Sequence, residues 1–396
     1  MKCFDHDKNN NSCLKRLAIL YDCPYPYVLG GGQKRLFEVA TRLIKENWTV
    51  DWFSLKFWDG SQEIEHSGIK YHAVGEKVAL YGPTGKRNIS ETIYYGMKTI
   101  SVAGLRNYDM ILAGQWPYFH LFPAKLFSML GRGKLIVDWW EIWGNHWFEY
   151  YGLKGLFGVM LERICSRLPD GIVSISETGK RRLEGIGVSP SKIRTIHNGI
   201  DFSKIRETLP AFETTDLVYV GRLQNHKNVN HLIEAMSILI KQYQLQLTLQ
   251  VIGGGPEKNY LEQLASNLGI SDCVRFYGEV QTDEEVYSRM KSAKVFVHPS
   301  TKEGGGSITS LEANACGLPV IAYRHPDGIS EELIKLGRNG YWVNKIGSEF
   351  LAEEINEVIK TGKYLGIIQN CIKFSEDFDW SKIAMEYNNY FRSVLK

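Results

Sequence analysis

Short apolar runs alternate with amphipathic stretches along most of this chain, and that alternation limits the folds open to it. The runs fall at residues 17–20, 50–55, 110–113, 135–137 and 171–175, then restart at 217–220, 247–251, 274–277, 295–297 and 320–322. Between the first two, Leu36, Val39, Ala40, Leu43 and Ile44 recur at helical spacing, which predicts a helix over 32–46. Helices are also expected near 229–243, 256–268 and 348–361. Buried strands alternating with helices are the pattern of parallel sheets covered by helices, here in two sets. The expected fold class is α/β, with two Rossmann-like domains facing across a cleft. The expected division is a flexible tail over 1–12, a first domain over 13–203, a second over 204–378, and a C-terminal helix over 379–396 packing back on the first. The polar segment 201–215, with Pro210, reads as the linker.

Length and composition support well-packed cores: 396 residues, 44% of them hydrophobic and 12% aromatic. The seven cysteines (Cys3, Cys13, Cys23, Cys165, Cys273, Cys316 and Cys371) are scattered and never form a Cys-x-x-Cys pair, so neither a disulfide framework nor a zinc site is indicated. No metal site is expected. The polar, Asn-rich start and the lack of a long uncharged run point away from a signal peptide or membrane span, toward a cytoplasmic protein, with a peripheral place on the cytoplasmic face of a membrane also open. Net charge hides an asymmetry. Residues 1–204 hold 27 Lys+Arg against 20 Asp+Glu, leaving 20 against 24 for the remainder. A basic first half suits a membrane surface or a phosphate-bearing acceptor, while the dispersed cations do not suit nucleic acid.

In open parallel sheets ligands bind beyond the carboxyl ends of strands, so glycine-rich strand exits locate the site. One exit leads from 17–20 to Gly30, Gly31 and Gly32 and a helix bearing Lys34 and Arg35. A second runs from 217–220 into Gly221 and Arg222, with Lys227 five residues on; these two cations could converge on a diphosphate, Arg by its fork and Lys as a point charge. A third holds Gly253, Gly254 and Gly255. The fourth follows 295–297 and reads Glu303-Gly304-Gly305-Gly306-Ser307-Ile308, with Glu312 four residues later on an expected helix. Bare backbone and a helix N-terminus there suit a phosphate or a sugar hydroxyl. A tight turn beside a solvated helix is the plainer alternative.

The most unusual local composition follows the run at 135–137: Asp138, Trp139, Trp140, Glu141, Ile142, Trp143, Gly144, Asn145, His146 and Trp147. Acids beside flat aromatic faces are what a sugar or lipid-phosphate acceptor would meet, although a buried aromatic core is open too. Residues 148–167 mix Leu153, Leu156, Phe157, Val159 and Met160 with Lys154, Arg163 and Arg167; they suit a membrane surface or an ordinary buried helix.

Taken in order, the segments at 30–35, 173–177, 197–201, 220–228, 253–257 and 299–320 resemble the family-four retaining glycosyltransferases of the twin-Rossmann (GT-B) fold. The resemblance implies a donor-binding set of Gly31, Gly32, Arg222, Lys227, Gly254, Gly304, Gly305, Gly306, Ser307, Ile308 and Glu312. Arg222 and Lys227 would hold the donor's diphosphate, Glu312 its ribose, and Glu303 with the 304–308 backbone its sugar. The family sets its two glutamates eight positions apart; here they stand nine apart. The first half would hold the acceptor, for which Arg35, Trp139, Trp140 and His146 are candidates. Catalytic help is expected from Glu303, Asp138, Glu141 or His120. The implied reaction moves a hexose from a nucleotide diphosphate sugar, with retention, to a glycan or lipid-linked acceptor in cell-surface polysaccharide or glycolipid assembly. No cofactor is implied. A glycoside hydrolase acid pair at Glu303 and Glu312, a nucleotide-sugar epimerase of similar fold and a non-catalytic nucleotide-sugar or glycan-binding module are the rival readings.

Overall fold

The computed structural model describes residues 14–80 and 87–396. The expected tail over 1–12 lies outside the described residues. The chain divides into two compact units: one takes in the chain up to Val173, Leu183–Arg194 and Ala384–Lys396, the other Ser174–Arg182 and Thr195–Ile383.

The first unit is built on an eight-stranded sheet: β1 (Lys15–Leu20), β2 (Trp48–Lys56), β3 (Glu63–His66), β4 (Ile69–Glu76), β5 (Met110–Gly114), β6 (Lys134–Trp139), β7 (Gly171–Ser174) and β8 (Ile193–Thr195). Their order is β3-β4-β2-β1-β5-β6-β7-β8. β1 pairs in parallel with β2 and β5, β2 with β4 and β5 with β6, while the β3–β4 hairpin at the edge is antiparallel. The helices are α1 (Gly31–Lys45), α2 (Ile89–Ile100), α3 (Leu121–Leu130), α4 (His146–Tyr151) and α5 (Gly155–Cys165). α1 buries Leu36, Val39, Ala40 and Leu43, the apolar stripe its spacing predicts. α6 (Glu177–Gly185) follows β7.

The second unit carries β9 (Leu217–Val220), β10 (Leu249–Ile252), β11 (Val274–Gly278), β12 (Val295–His298), β13 (Val320–Tyr323) and β14 (Gly340–Val343), in the order β11-β10-β9-β12-β13-β14 with parallel pairing throughout. Its helices are α7 (Phe202–Glu207), α8 (Val229–Lys241), α9 (Lys258–Asn267), α10 (Asp283–Lys291), α11 (Ile308–Ala315), α12 (Ser348–Lys360), α13 (Lys363–Gly366) and α14 (Ile368–Ser375); α15 (Trp380–Val394) closes the chain. One core cluster packs Leu232, Met236, Val251 and Val297 with α12; another packs Val218, Phe296, Leu311 and Val320. Every residue of β9, β10, β12, β13 and β14 is buried, as strands covered on both faces require.

Both sheets reverse direction of winding beside their first strand: between β1 and β5 in one, between β9 and β12 in the other. Such switch points open a crevice at the strands' carboxyl ends. The loops leaving those four strands start at residues 21, 115, 221 and 299, and three of them were singled out by the glycine pattern.

Candidate functional site

In the second unit, β9 ends at Val220 and Gly221 turns the chain outward. The Gly221 and Leu223 amides donate to Ile252 and Gly254 carbonyls at 3.0 and 2.8 Å, lashing this exit to the one after β10. The two loops are packed backbone on backbone. A Cβ at Gly253 would stand 1.9 Å from the Gly221 carbonyl oxygen, and one at Gly255 2.3 Å from that of Leu223. At Gly254 a Cβ would make only ordinary contact, 3.6 Å from the Glu279 side chain. Arg222 leaves this platform exposed, and among the described residues its guanidinium forms no ion pair.

Lys227 follows at the foot of α8 and reaches across the switch point. Its Nζ donates to Glu303 Oε1 at 2.5 Å, and His298 Nε2 lies 2.8 Å from the same oxygen. Burial alone would raise the Glu303 carboxyl, but His298 and Lys227 override it and hold the group down at about 2. Glu303 is therefore an anion at any working pH, not an acid. His298, the last residue of β12, was not among the residues the glycine and charge pattern selected; its place directly before the Pro299 loop is the signal that points to it.

The glycine loop differs from the expectation of bare donors. The Glu303 and Gly304 amides donate to the Asp327 carbonyl at 2.7 and 3.2 Å, Gly305 to Gly328 at 3.1 Å, and Gly306 to Glu303 at 3.2 Å. Glycine is required here for conformation and space. Gly304 and Gly305 hold φ of +61° and +92°, and a Cβ on Gly305 would meet the Ser176 hydroxyl at 2.2 Å. The Ser307 and Ile308 amides, at the head of α11, have no hydrogen-bond acceptor among the described residues. Ser307 caps α11 by accepting from the Ser310 amide at 3.3 Å. One turn on, Glu312 accepts from the Tyr287 hydroxyl at 3.0 Å and is 9% exposed. The loops at the carboxyl end of this sheet thus carry two cations, a helix N-terminus and two carboxylates held by hydrogen bonds.

In the first unit, Gly31 starts α1 with nothing within 4 Å of a built Cβ. Gly32 lies under the Trp140 indole, 2.5 Å from a built Cβ, and Gly114 at the end of β5 lies 3.0 Å from it. Trp140 thus covers the β1–β5 switch point, its edge against Tyr21. A buried glutamine fixes this corner: Gln115 Oε1 accepts from the Trp140 and Glu141 amides at 2.5 and 3.0 Å, and its Nε2 donates to the Glu141 carbonyl at 2.6 Å. Glu162, also buried, accepts from the Trp143 and Gly144 amides, both at 2.9 Å, and its carboxyl is raised by burial. Neither Gln115 nor Glu162 carried a motif in the sequence. The Glu141 side chain is part-exposed, and His146 pairs with Glu149 at 2.7 Å.

Four candidate residues of this half lie elsewhere than expected. Arg35, read as an acceptor contact, is 1% exposed: its Nε donates to Asp138 Oδ2 at 2.9 Å and its guanidinium to the Tyr387 hydroxyl at 2.7 Å. Asp138, read as an acid–base candidate, is fully buried in that pair, and Tyr387 also donates to it at 2.7 Å. The trio ties α1, β6 and α15 together and has no face toward solvent. Trp139 is fully buried in the first unit's core and donates to the Glu141 carbonyl at 3.1 Å. His120 is fully buried against Tyr95; burial, offset only in part by the Gly114 backbone, pushes its imidazole down to about 3. It is neutral and sealed from water, so it does not exchange protons with a substrate.

Comparison with known proteins meets this geometry in both halves. Residues 29–204 match the family model described as Glycosyltransferase Family 4, and residues 201–373 the one described as Glycosyl transferases group 1. An uncharacterised glycosyltransferase of Methanocaldococcus jannaschii is 29% identical over 76% of this chain and 79% of its own length. Sucrose-phosphate synthase from Thermosynechococcus elongatus superposes with a TM-score of 0.75 at 18% identity, covering 96% of this chain and 99% of that one. Anabaena HepE in complex with UDP gives a TM-score of 0.72 at 21% identity over 96% of this chain and 100% of the other. With the two models together spanning 29–373, most of its length, the chain belongs to the family-four, group 1 glycosyltransferases of the GT-B fold.

Proposed function

We propose that this glycosyltransferase moves a hexose from a nucleotide diphosphate sugar to a hydroxyl of a glycan or lipid-linked acceptor, with retention at the anomeric carbon. One observation carries the reading: Lys227, in the loop that Arg222 opens at the β9 exit, reaches the ionised Glu303 of the loop that leads into α11, at the switch point of the second sheet. Charge develops on the departing diphosphate as the glycosidic bond breaks. Two cations and the Ser307 and Ile308 amides supply fixed positive charge where that oxygen leaves, so in this reading no metal is required. Lys227 would turn from Glu303 to the phosphate. Glu303, kept ionised by His298, would accept hydrogen bonds from sugar hydroxyls, and Glu312 from the ribose. Gly31 and Gly32 would approach the donor through the start of α1. Of the acid–base candidates in the first unit, Glu141 alone combines a part-exposed carboxylate with a position at the site corner, and it is the residue proposed to receive the acceptor's proton. Trp140 and His146 would line the acceptor's path. The nearest support for the donor class is Anabaena HepE, solved with UDP and with UDP-glucose.

The test is thermal unfolding with UDP-, GDP-, ADP- and dTDP-sugars, on wild type and Arg222→Ala, followed by turnover with and without chelator. A shift selective for one nucleotide sugar, lost together with at least roughly hundredfold in turnover in Arg222→Ala, is the expected result. Near-normal turnover in that variant would sink the assignment, and loss of turnover on chelation would sink the metal-free reading.

A further inference from the structure

Three helices of the first unit turn apolar stripes to solvent. On α2 the stripe is Ile89, Ile93 and Met97; on α3 it is Phe122, Leu126 and Met129; beside and along α5 it is Leu153, Phe157 and Met160. Spacings of three and four place each set on one helical face. Leu153 is 93% exposed, Met129 71% and Phe157 64%. α2 packs on α3, and a groove of 540 Å³ joins α2 to α4 and α5, walled by Thr92, Trp116, Trp147, Tyr151 and Phe157. The α2 and α5 stripes border the groove through Ile89, Leu153, Phe157 and Met160, and the α3 stripe lies on the helix packed against α2. A contiguous apolar face of this extent on a folded chain marks an interaction site.

Its charge selects the occupant. Helices α2 to α5 contain three carboxylates: Glu91 and Glu162 are buried, and only Glu149 is exposed. Against that single exposed acid stand four exposed cations: Lys98 at the end of α2, Lys154 lining the groove, and Arg163 and Arg167 at the end of α5. A protein partner would meet an apolar face bordered mainly by positive charge, whereas an anionic bilayer offers hydrocarbon and negative headgroups together. The groove is walled by aromatic rings, Trp116 stacked at 5.8 Å on the buried Trp147 and Trp147 at 4.9 Å from Trp143, an apolar lining suited to a hydrocarbon chain.

We propose that this face docks on an anionic phospholipid bilayer, with a lipid hydrocarbon chain entering the groove between α2 and α5. The surface is independent of catalysis, so its test uses no nucleotide sugar and fails or succeeds apart from the transferase reading. The full chain is sedimented with vesicles of phosphatidylcholine, with and without phosphatidylglycerol, and tryptophan fluorescence is followed with acyl chains brominated along their length. Expected are binding that needs phosphatidylglycerol and weakens with salt, quenching by the brominated chains, and at least roughly tenfold weaker partitioning in Leu153→Glu/Phe157→Glu, whose side chains are already exposed. Lys154→Glu should lose the salt-sensitive part. Wild type that stays in the supernatant overturns the proposal. So does a double variant that binds as well as wild type, or a lipid-free dimer in wild type that the double variant dissociates, which would make the face an interface between copies. If the double variant fails to fold, as read by circular dichroism, the quenching of the wild type decides: none refutes the docking.

Discussion

At position 120 the chain places an imidazole out of reach of water, against Tyr95. Its proton affinity in the folded protein, about 3, lies below that of an exposed histidine, so the unfolded chain binds a proton the folded one refuses. The stability it protects is present above pH ~6.5 and is lost progressively as pH falls from there toward 3. His120→Phe should therefore flatten the decline in unfolding free energy across that window; equal slopes in denaturant titrations of the two proteins would refute the assignment. Glu303 behaves oppositely in partnership though likewise in sign. Its depressed carboxyl contributes stability that survives until pH drops below ~4.5 and disappears near 2. The placement of Arg222, Lys227, Glu303 and Glu312 beside strand exits was legible in the sequence, because glycines marked those exits. Arg35, Asp138, Trp139 and His120 were misread because the sequence marked the end of the sheet they occupy but not their burial. Asp138 and Trp139 still belong to β6, a strand buried on both faces, while Arg35 lies on the inner face of α1 and His120 packs under Tyr95. Nothing local in the sequence foretold Tyr387, the partner that makes a buried Arg35 tolerable.

Among the elements, the loops after β9 and β10 show glycine used for closeness. Gly253 holds φ at +138° with the Gly221 carbonyl where a side chain would begin. Gly253→Ala should destabilise the second unit by about 2 kcal/mol or more, combining backbone strain with a forced separation of the two loops. Gly31→Ala, with nothing within 4 Å, is the control and should leave the denaturation midpoint near wild type. The alternation of apolar runs revealed ten of the strands because each carries a dense cluster of apolar residues. It did not reveal β3, whose residues are exposed or half-exposed, nor β4, whose apolar residues are broken by Lys70, His72 and Gly75, nor the three-residue β8, nor β14, which is buried throughout but opens on a glycine and spans only four residues. The segment expected to be a plain linker holds α7, capped by the Asp201 side chain accepting from the Lys204 amide at 3.1 Å.

For the molecule as a whole, the division into units is not a division of the sequence. Ala384–Lys396 belongs to the first unit, where Tyr387 and Phe391 are fully buried, Trp48 donates to Asn388 at 3.0 Å, and Tyr387 completes the Arg35–Asp138 pair. Tyr387→Phe removes one hydroxyl that both accepts from Arg35 and donates to Asp138. With two buried charges left short of a partner, the first unit should lose about 1–3 kcal/mol. Hydrogen exchange should localise that loss to α1 and β6 while β9 to β14 keep wild-type protection; a uniform loss, or none, would count against it. Arg35 and Tyr387 are 352 positions apart. During synthesis the guanidinium emerges 352 residues ahead of its last ligand, since domains begin to fold as they are made. The unit that starts first therefore waits for a segment made after the second unit, and until that segment arrives a charged residue of its core is incompletely neutralised.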